Sequence, residues 1–480
     1  MSNTVSHRRS PTRTGHSTRL RPPARNVLDG VGAFLVSGLY LAALPIELIL
    51  GTRVQFPFIL YTVMVFCFVV LVRRHRLQEA CLALLGRSSG RRTAFFGLAG
   101  ALVFWFALQA FVSPCPAYAQ RKYALWLINA VLPLVVGYLW IDKVEKIRIL
   151  LRVGTIWIAL VLAFWVANPD GIANLDVRHV VLRGDFSQIT SCSFCRSVSL
   201  AAMVCVVSVG LQVFRGPATL LPAGLAPVML YLALQSGSRG AVLSFAVAAS
   251  FFLVLSLNRR RLLLLAAVLP VLVAMVFSHV AATNSVTGII DSGLLQGDLR
   301  DGSVIEHFDA WRLSAVTALL HPLGIGFGGY PRVAGYGDEP LYPHNAVLEV
   351  WVESGLIGLG LFACLIALPF LSLGPGQFAD RHIVAMESLF LITFLFAMTY
   401  LGIEGSNPYW FFLGALWSIR DNRRSGPVPA DLRQHRNAIG LSRTRQRGRR
   451  TGTSRSCAPA RTPRPVQYPS DRLVEPHRYA

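Results

Sequence analysis

Apolar runs of roughly 18 to 25 residues follow one another along this chain, and that is the length at which an α-helix crosses a bilayer. This constrains the fold more than any motif, because a backbone inside hydrocarbon must satisfy its own hydrogen bonds, and helices do so within a single segment. The runs predict about twelve spans, near residues 27–50, 54–72, 94–112, 123–141, 150–167, 197–214, 218–235, 240–257, 262–282, 346–373, 383–403 and 408–419. The expectation is an all-α polytopic membrane protein. With 53% hydrophobic and only 15% charged residues, an ordinary soluble domain is excluded.

Positive charge near the ends of the spans sets the orientation. Arg73-Arg74-His75-Arg76, then Lys143, Lys146 and Arg148, then Arg259-Arg260-Arg261 all fall on the side that also carries both termini. With that side cytoplasmic, the largest loop, residues 283–345 between the ninth and tenth spans, faces outward and holds three Arg against seven acids. Three regions are expected: a basic, disordered N-terminus over 1–26, a membrane domain over 27–419, and an Arg-rich disordered tail over 420–480. The tails hold six and fifteen Arg and account for most of the formal charge of +22. Such flanks are attracted to anionic lipid headgroups, so membrane lipids and not nucleic acid are the expected partner. Residues 1–26 have no apolar core, so no cleavable signal peptide is expected and the protein should stay in an inner or plasma membrane.

Polar groups kept near membrane depth are costly, which makes them functional candidates. Gln235-Ser236-Gly237-Ser238-Arg239-Gly240 is a short glycine-rich turn with one guanidinium at a helix start, suited either to phosphate or to a snorkelling arginine. A second outward loop, residues 170–196, contains Arg183, and a lone Cys192-Ser193-Phe194-Cys195 lies within it, too few ligands for a structural zinc site. The third cluster runs from Glu306, His307, Asp309, Trp311 and Arg312 through His321-Pro322-Leu323-Gly324-Ile325-Gly326-Phe327-Gly328-Gly329-Tyr330 to Tyr342-Pro343-His344-Asn345. Residues 309–320 have helical spacing, and the glycine run predicts a turn-rich crossing and not a dinucleotide fingerprint, since no strand precedes it. No metal or cofactor is expected.

Pro343 suits the first turn of a helix beginning beside His344. The positive end of the helix dipole would disfavour the imidazolium and keep a proton-accepting ring. Asn345, Glu349 and Glu353 recur every fourth residue and share one stripe, which either faces a protein interior or wet cavity, or solvates a helix end.

His344-Asn345, nine residues, then Gly355-Leu356-Ile357-Gly358, preceded by Pro322-Leu323-Gly324-Ile325-Gly326 and by Ser236-Gly237-Ser238-Arg239-Gly240, resembles the O-antigen ligase and O-antigen polymerase superfamily of bacterial membrane glycosyltransferases. The likeness is most specific over residues 230–370. It implies a GT-C-type helical enzyme of the bacterial inner membrane that moves a glycan from an undecaprenyl diphosphate carrier to an acceptor at the periplasmic face. It further implies that Arg239 and Arg183 hold the carrier diphosphate and that His344 activates the acceptor hydroxyl beside Asn345; Arg312 is the expected third arginine of that clamp, and Glu349 and Glu353, by their place on the polar stripe, are the expected supporting residues. The chain departs from the family in placing Glu306, His307 and Asp309 ahead of Trp311, with Arg312 after it, and in lacking asparagines in Gly184-Asp185-Phe186-Ser187-Gln188. The resemblance leaves the acceptor open between lipid A-core, for a ligase, and a carrier-linked glycan, for a polymerase of O-antigen, capsule or exopolysaccharide. A lipid-linked glycan transporter or flippase is the alternative of another class, with Asp29 and Glu47 as its best support. No internal repeat accompanies them, whereas transporters commonly have one.

Overall fold

The computed structural model describes residues 22–41, 58–84, 90–167, 191–235, 239–256, 302–371, 380–399, 402–403 and 407–425. Among these residues the regular structure is helical, with no strand. The helices are α1 Pro22–Leu41, α2 Phe58–Val72, α3 Arg74–Leu84, α4 Gly90–Phe111, α5 Pro116–Trp140, α6 Val144–Ala167, α7 Ser191–Gly210, α8 Leu220–Gln235, α9 Arg239–Ser256, α10 Gly302–Leu320, α11 Tyr330–Val333, α12 Ala346–Leu371, α13 Arg381–Thr399 and α14 Asn407–Ser425. Apart from Ser425, the last residue of α14, they belong to one compact unit that ends at Arg424. Five of them, α4, α5, α8 with its preceding 3₁₀ turn, α12 and α13, are long and apolar enough to cross a membrane.

Helices occupy every predicted span that falls among the described residues, with shifted ends. The ninth run, 262–282, lies outside them, as do Arg183, Glu47 and Ser236–Ser238. Helix α1 begins at Pro22 and not at residue 27, and α14 continues to Ser425, past residue 419. Helix α7 starts at Ser191, so the Cys192–Cys195 pair opens a helix and does not sit in a loop; the buried Cys195 Sγ donates to the Ala233 carbonyl of α8 at 3.3 Å.

Helix α5 begins seven residues before the predicted span, and the cause is tertiary. Pro116 occupies its first turn, where a missing N–H costs nothing, and the Asp338 carboxylate accepts the Ala117 and Tyr118 N–H groups at 3.2 and 2.9 Å. A carboxylate there also complements the helix dipole. Five residues of π-helix, Leu127–Val131, interrupt α5 just before Pro133. Proline cannot bond to the carbonyl of the preceding turn, and a widened turn accommodates the defect. Farther along, α5 and α14 meet at paired glycines: a Cβ on Gly137 would fall 2.0 Å from the Phe411 carbonyl, and one on Gly414 would fall 2.0 Å from the Leu134 carbonyl. Small residues let these backbones touch, a close approach typical of helices packed in membranes.

Ionic groups separate into two ends of the bundle, because α4, at about 1.5 Å per residue, carries Arg92 and Gln109 roughly 25 Å apart. At the Arg92 end, Arg73 pairs with Asp29, Arg92 with Asp421 and Glu79, Lys146 with Asp142, and Arg420 with Glu387. Asp29 thus belongs to a packed ionic network at a helix end. At the Gln109 end, α12 is broken.

The break is at Gly355, with φ 66° and ψ −166°, a region open almost only to glycine. It interrupts the ladder between 346–354 and 356–371, and the crossing loop after α10 replaces the lost partners. Ile325 and Gly326 N–H donate to the Val352 and Glu353 carbonyls at 3.0 Å each, and Trp105 Nε1 donates to the Ser354 carbonyl at 2.8 Å. Leu356 N–H reaches back to the Pro322 carbonyl at 2.8 Å. A Cβ on Gly355 would lie 2.4 Å from that carbonyl, and one on Gly324 2.6 Å from the Glu353 carbonyl. The glycine run is therefore the turn-rich crossing its composition predicts, lodged between α4 and α12.

Candidate active site

Two histidines meet where α10 passes the start of α12. The rings of His307 and His344 stand edge to face, 4.6 Å between centroids, and Tyr342 also packs against His344 at 4.7 Å. Trp311 lies 6.4 Å from His307, one helical turn along α10. His344 adopts a left-handed backbone with φ 55°, a conformation in which Asn, Asp and His are the commonest non-glycine residues. Burial pushes the His307 imidazole below the usual histidine range, and the nearby Glu306 carboxylate offsets part of that effect. His307 accordingly favours the neutral ring.

The sharp turn at His344 places Asn345 as the cap of α12. Asn345 Oδ1 accepts the Val347 and Leu348 N–H groups at 3.1 Å each, and its carbonyl accepts Glu349 N–H at 2.8 Å. Helix α12 starts at Ala346, so Pro343 precedes the cap and is not in the first turn. Two residues of extended and turned chain separate the proline from the helix.

Glu349 and Glu353 lie below Asn345 on the same stripe, and both are buried, with 0% and 1% exposure, which removes the helix-end solvation alternative. They converge on one cation. Lys122 Nζ, itself fully buried in α5, lies 2.6 Å from Glu349 and 2.7 and 2.8 Å from the two oxygens of Glu353. The other Glu349 oxygen accepts the Ile403 N–H at 2.9 Å. The ring of Phe327, from the glycine crossing, packs 5.1 Å from the same ammonium. Coulomb attraction is strong where water is absent, so this cluster ties α5, α12 and the crossing loop together beneath His344.

Arg312 is exposed on α10. Five residues beyond His307, it is turned about 140° around the helix, away from the histidine pair. Arg239 opens α9, and Arg183 lies outside the described residues. His344, Asn345, Glu349 and Glu353 are thus one continuous arrangement. Lys122, which joins them, escapes sequence reasoning, because Gln120-Arg121-Lys122 looks like a polar flank ahead of the fourth span; His307 stands among the outward-loop candidates, but nothing in the sequence pairs it with His344. The available signal was two acids on one stripe entering lipid, which require a buried cation somewhere else in the chain.

A family model described as O-antigen ligase matches residues 224–363, from within α8 to within α12. The matched segment carries Arg239, Arg312, His344, Asn345, Glu349 and Glu353, and it excludes Lys122. A search of the curated proteins found no match.

Proposed function

We infer, for a chain whose residues 224–363 match an O-antigen ligase family model, the function of a membrane glycosyltransferase acting on an undecaprenyl-diphosphate-linked glycan. In this reading a GT-C-type bundle of about twelve spans lies in the bacterial inner membrane with both termini cytoplasmic. The acceptor sits at the periplasmic face and is lipid A-core, as for a ligase, or a carrier-linked glycan, as for a polymerase. The observation that carries the reading is the His344 ring, held against His307 at the capped start of a broken helix.

The chemistry divides between a base and an anion clamp. The acceptor hydroxyl gives its proton to His344 as its oxygen bonds to the anomeric carbon of the donor sugar, and the bond from that carbon to the carrier diphosphate breaks. His344 Nδ1 is enclosed, so Nε2 is the nitrogen assigned to the hydroxyl. A single displacement inverts the anomeric centre and needs no covalent enzyme intermediate. Arg239 and Arg183 are assigned to the departing diphosphate, where guanidinium forks meet phosphate charge without a metal, and Arg312, exposed and turned away from His307, is left out of that clamp. Glu349 and Glu353 act with Lys122 to hold α12, and so His344, in place.

The test is the size profile of undecaprenyl-diphosphate-linked glycans from cells carrying the wild type or His344→Ala. Long carrier-linked chains accumulating in the variant indicate a ligase, and single repeats indicate a polymerase. An unchanged profile overturns the assignment of His344. Turnover abolished by EDTA in purified protein would overturn the metal-free step.

A further inference from the structure

At the end of the bundle opposite His344, a cavity of about 190 Å³ opens between α4, α12 and α14. That is room for about six water molecules, enough for a phosphate group and too little for a glycan. Arg91 and Arg420 line it together with Leu368, Leu371, Trp417 and Asp421. Arg420 is only 4% exposed. Its Nη2 pairs with Glu387 and its guanidinium stacks on Phe370, while Nε and Nη1 have no hydrogen-bond partner among the described residues. Buried guanidinium donors without partners are costly, and the positive charge they carry stands at the wall of the cavity.

The local charge points the same way. Asp421, the acid on the wall, is engaged by Arg92 Nε at 2.6 Å and by the Tyr138 hydroxyl at 3.3 Å. Glu387 is left to answer Arg420, and the positive charge of Arg91 acts against Arg420 across the cavity. The remaining wall is apolar. Trp417 has its Nε1 committed to the Leu365 carbonyl at 2.9 Å and so presents ring, and Leu371 at the end of α12 is 77% exposed. A phosphate with an attached hydrocarbon chain matches this combination, charge toward the arginines and chain along the leucines.

We propose that this cavity is a phosphate-binding site for the headgroup of an anionic phospholipid, set between helices at the face opposite the candidate active site. Basic pockets between membrane helices are a recognised form of headgroup site. A bound headgroup would pin the ends of α4, α12 and α14 together. It requires nothing of the glycosyltransferase reading.

The experiment is thermal unfolding of the delipidated full-length protein in a neutral detergent, titrated with dioleoyl phosphatidylglycerol, dioleoyl phosphatidylcholine or inorganic phosphate. Phosphatidylglycerol should raise the melting temperature and phosphatidylcholine should not. The Arg-rich termini also attract anionic lipid, so variants in the cavity decide the matter. Arg91→Gln should weaken the apparent affinity for phosphatidylglycerol by about tenfold or more, the loss expected for a hydrogen bond to a charged group. Arg420→Lys keeps a cation against Glu387 but loses the fork, and should act in the same direction. Equal stabilisation by both lipids, or wild-type affinity in both variants, overturns the proposal. If inorganic phosphate alone reproduces the shift with the same dependence on Arg91, the anion site stands and the lipid assignment falls.

Discussion

Lys122 bridges to Glu353 across 231 residues of sequence, its ammonium within 2.8 Å of both carboxylate oxygens in a site that water does not reach. Breaking such a pair leaves uncompensated buried charge and costs about 3–5 kcal/mol. Lys122→Met should therefore destabilise strongly, while adding Glu349→Gln and Glu353→Gln should restore much of the loss, since a neutral amide can still accept the Ile403 N–H. Thermal unfolding in detergent reads both. A triple variant no more stable than Lys122→Met would show that the charges contribute something other than mutual neutralisation.

Gly355 is the only φ/ψ break inside α12. Gly355→Ala combines a strained backbone, about 1–3 kcal/mol, with a Cβ driven into the Pro322 carbonyl. The expected outcome is lower stability together with faster proteolysis between residues 322 and 329, where the crossing loop loses its hydrogen-bonding partners. Wild-type protease resistance would mean that the loop is held by Phe327 and Gln109 alone.

Asn345 caps α12, so its replacement separates structure from chemistry. Asn345→Ala should lose about 1 kcal/mol of stability, and Asn345→Ser, which can cap, should lose little. Glycan transfer at the wild-type rate in Asn345→Ser is expected. A serine variant as inactive as the alanine variant would give the amide a direct part in the reaction.

His344→Asn keeps a residue tolerant of the left-handed backbone and removes the imidazole. Stability should remain within about 1 kcal/mol of wild type, a few tenths of which reflects the lost ring contacts. Transfer should fall by about 10²- to 10⁴-fold, the usual contribution of a general base. Robust transfer by folded His344→Asn would remove the base from this position.

His307 gives a pH dependence of known sign. Its folded-state pKa is lowered by burial, with Glu306 opposing, so on acidification the unfolded chain binds this proton first. The contribution to stability is complete above the ordinary histidine pKa of about 6.5 and is lost as pH falls below it toward the folded value. His307→Gln should flatten the wild-type decline over that acidic window when melting temperature is followed against pH. Superimposable curves would show that His307 does not carry the effect.

What could be read from the residues follows from local physics. Apolar runs long enough to span a bilayer marked the helices, the four-residue repeat of Asn345, Glu349 and Glu353 marked a polar stripe that hydrocarbon would not accept, and the glycines after Pro322 marked a crossing that could not be helix. Those patterns depend on neighbours a few residues apart. The stripe's partner did not, because Lys122 sits in a stretch whose own sequence reads as a wet flank, and only the approach of α5 to α12 makes it a buried ion. The same holds for Asp338, which extends α5 by capping it from a distant loop, and for His307, which faces His344 only because α10 folds back over the start of α12. Pairing of rings across tens of residues and of charges across hundreds costs chain entropy that only the assembled bundle repays, so the tertiary structure decided which polar residues come together.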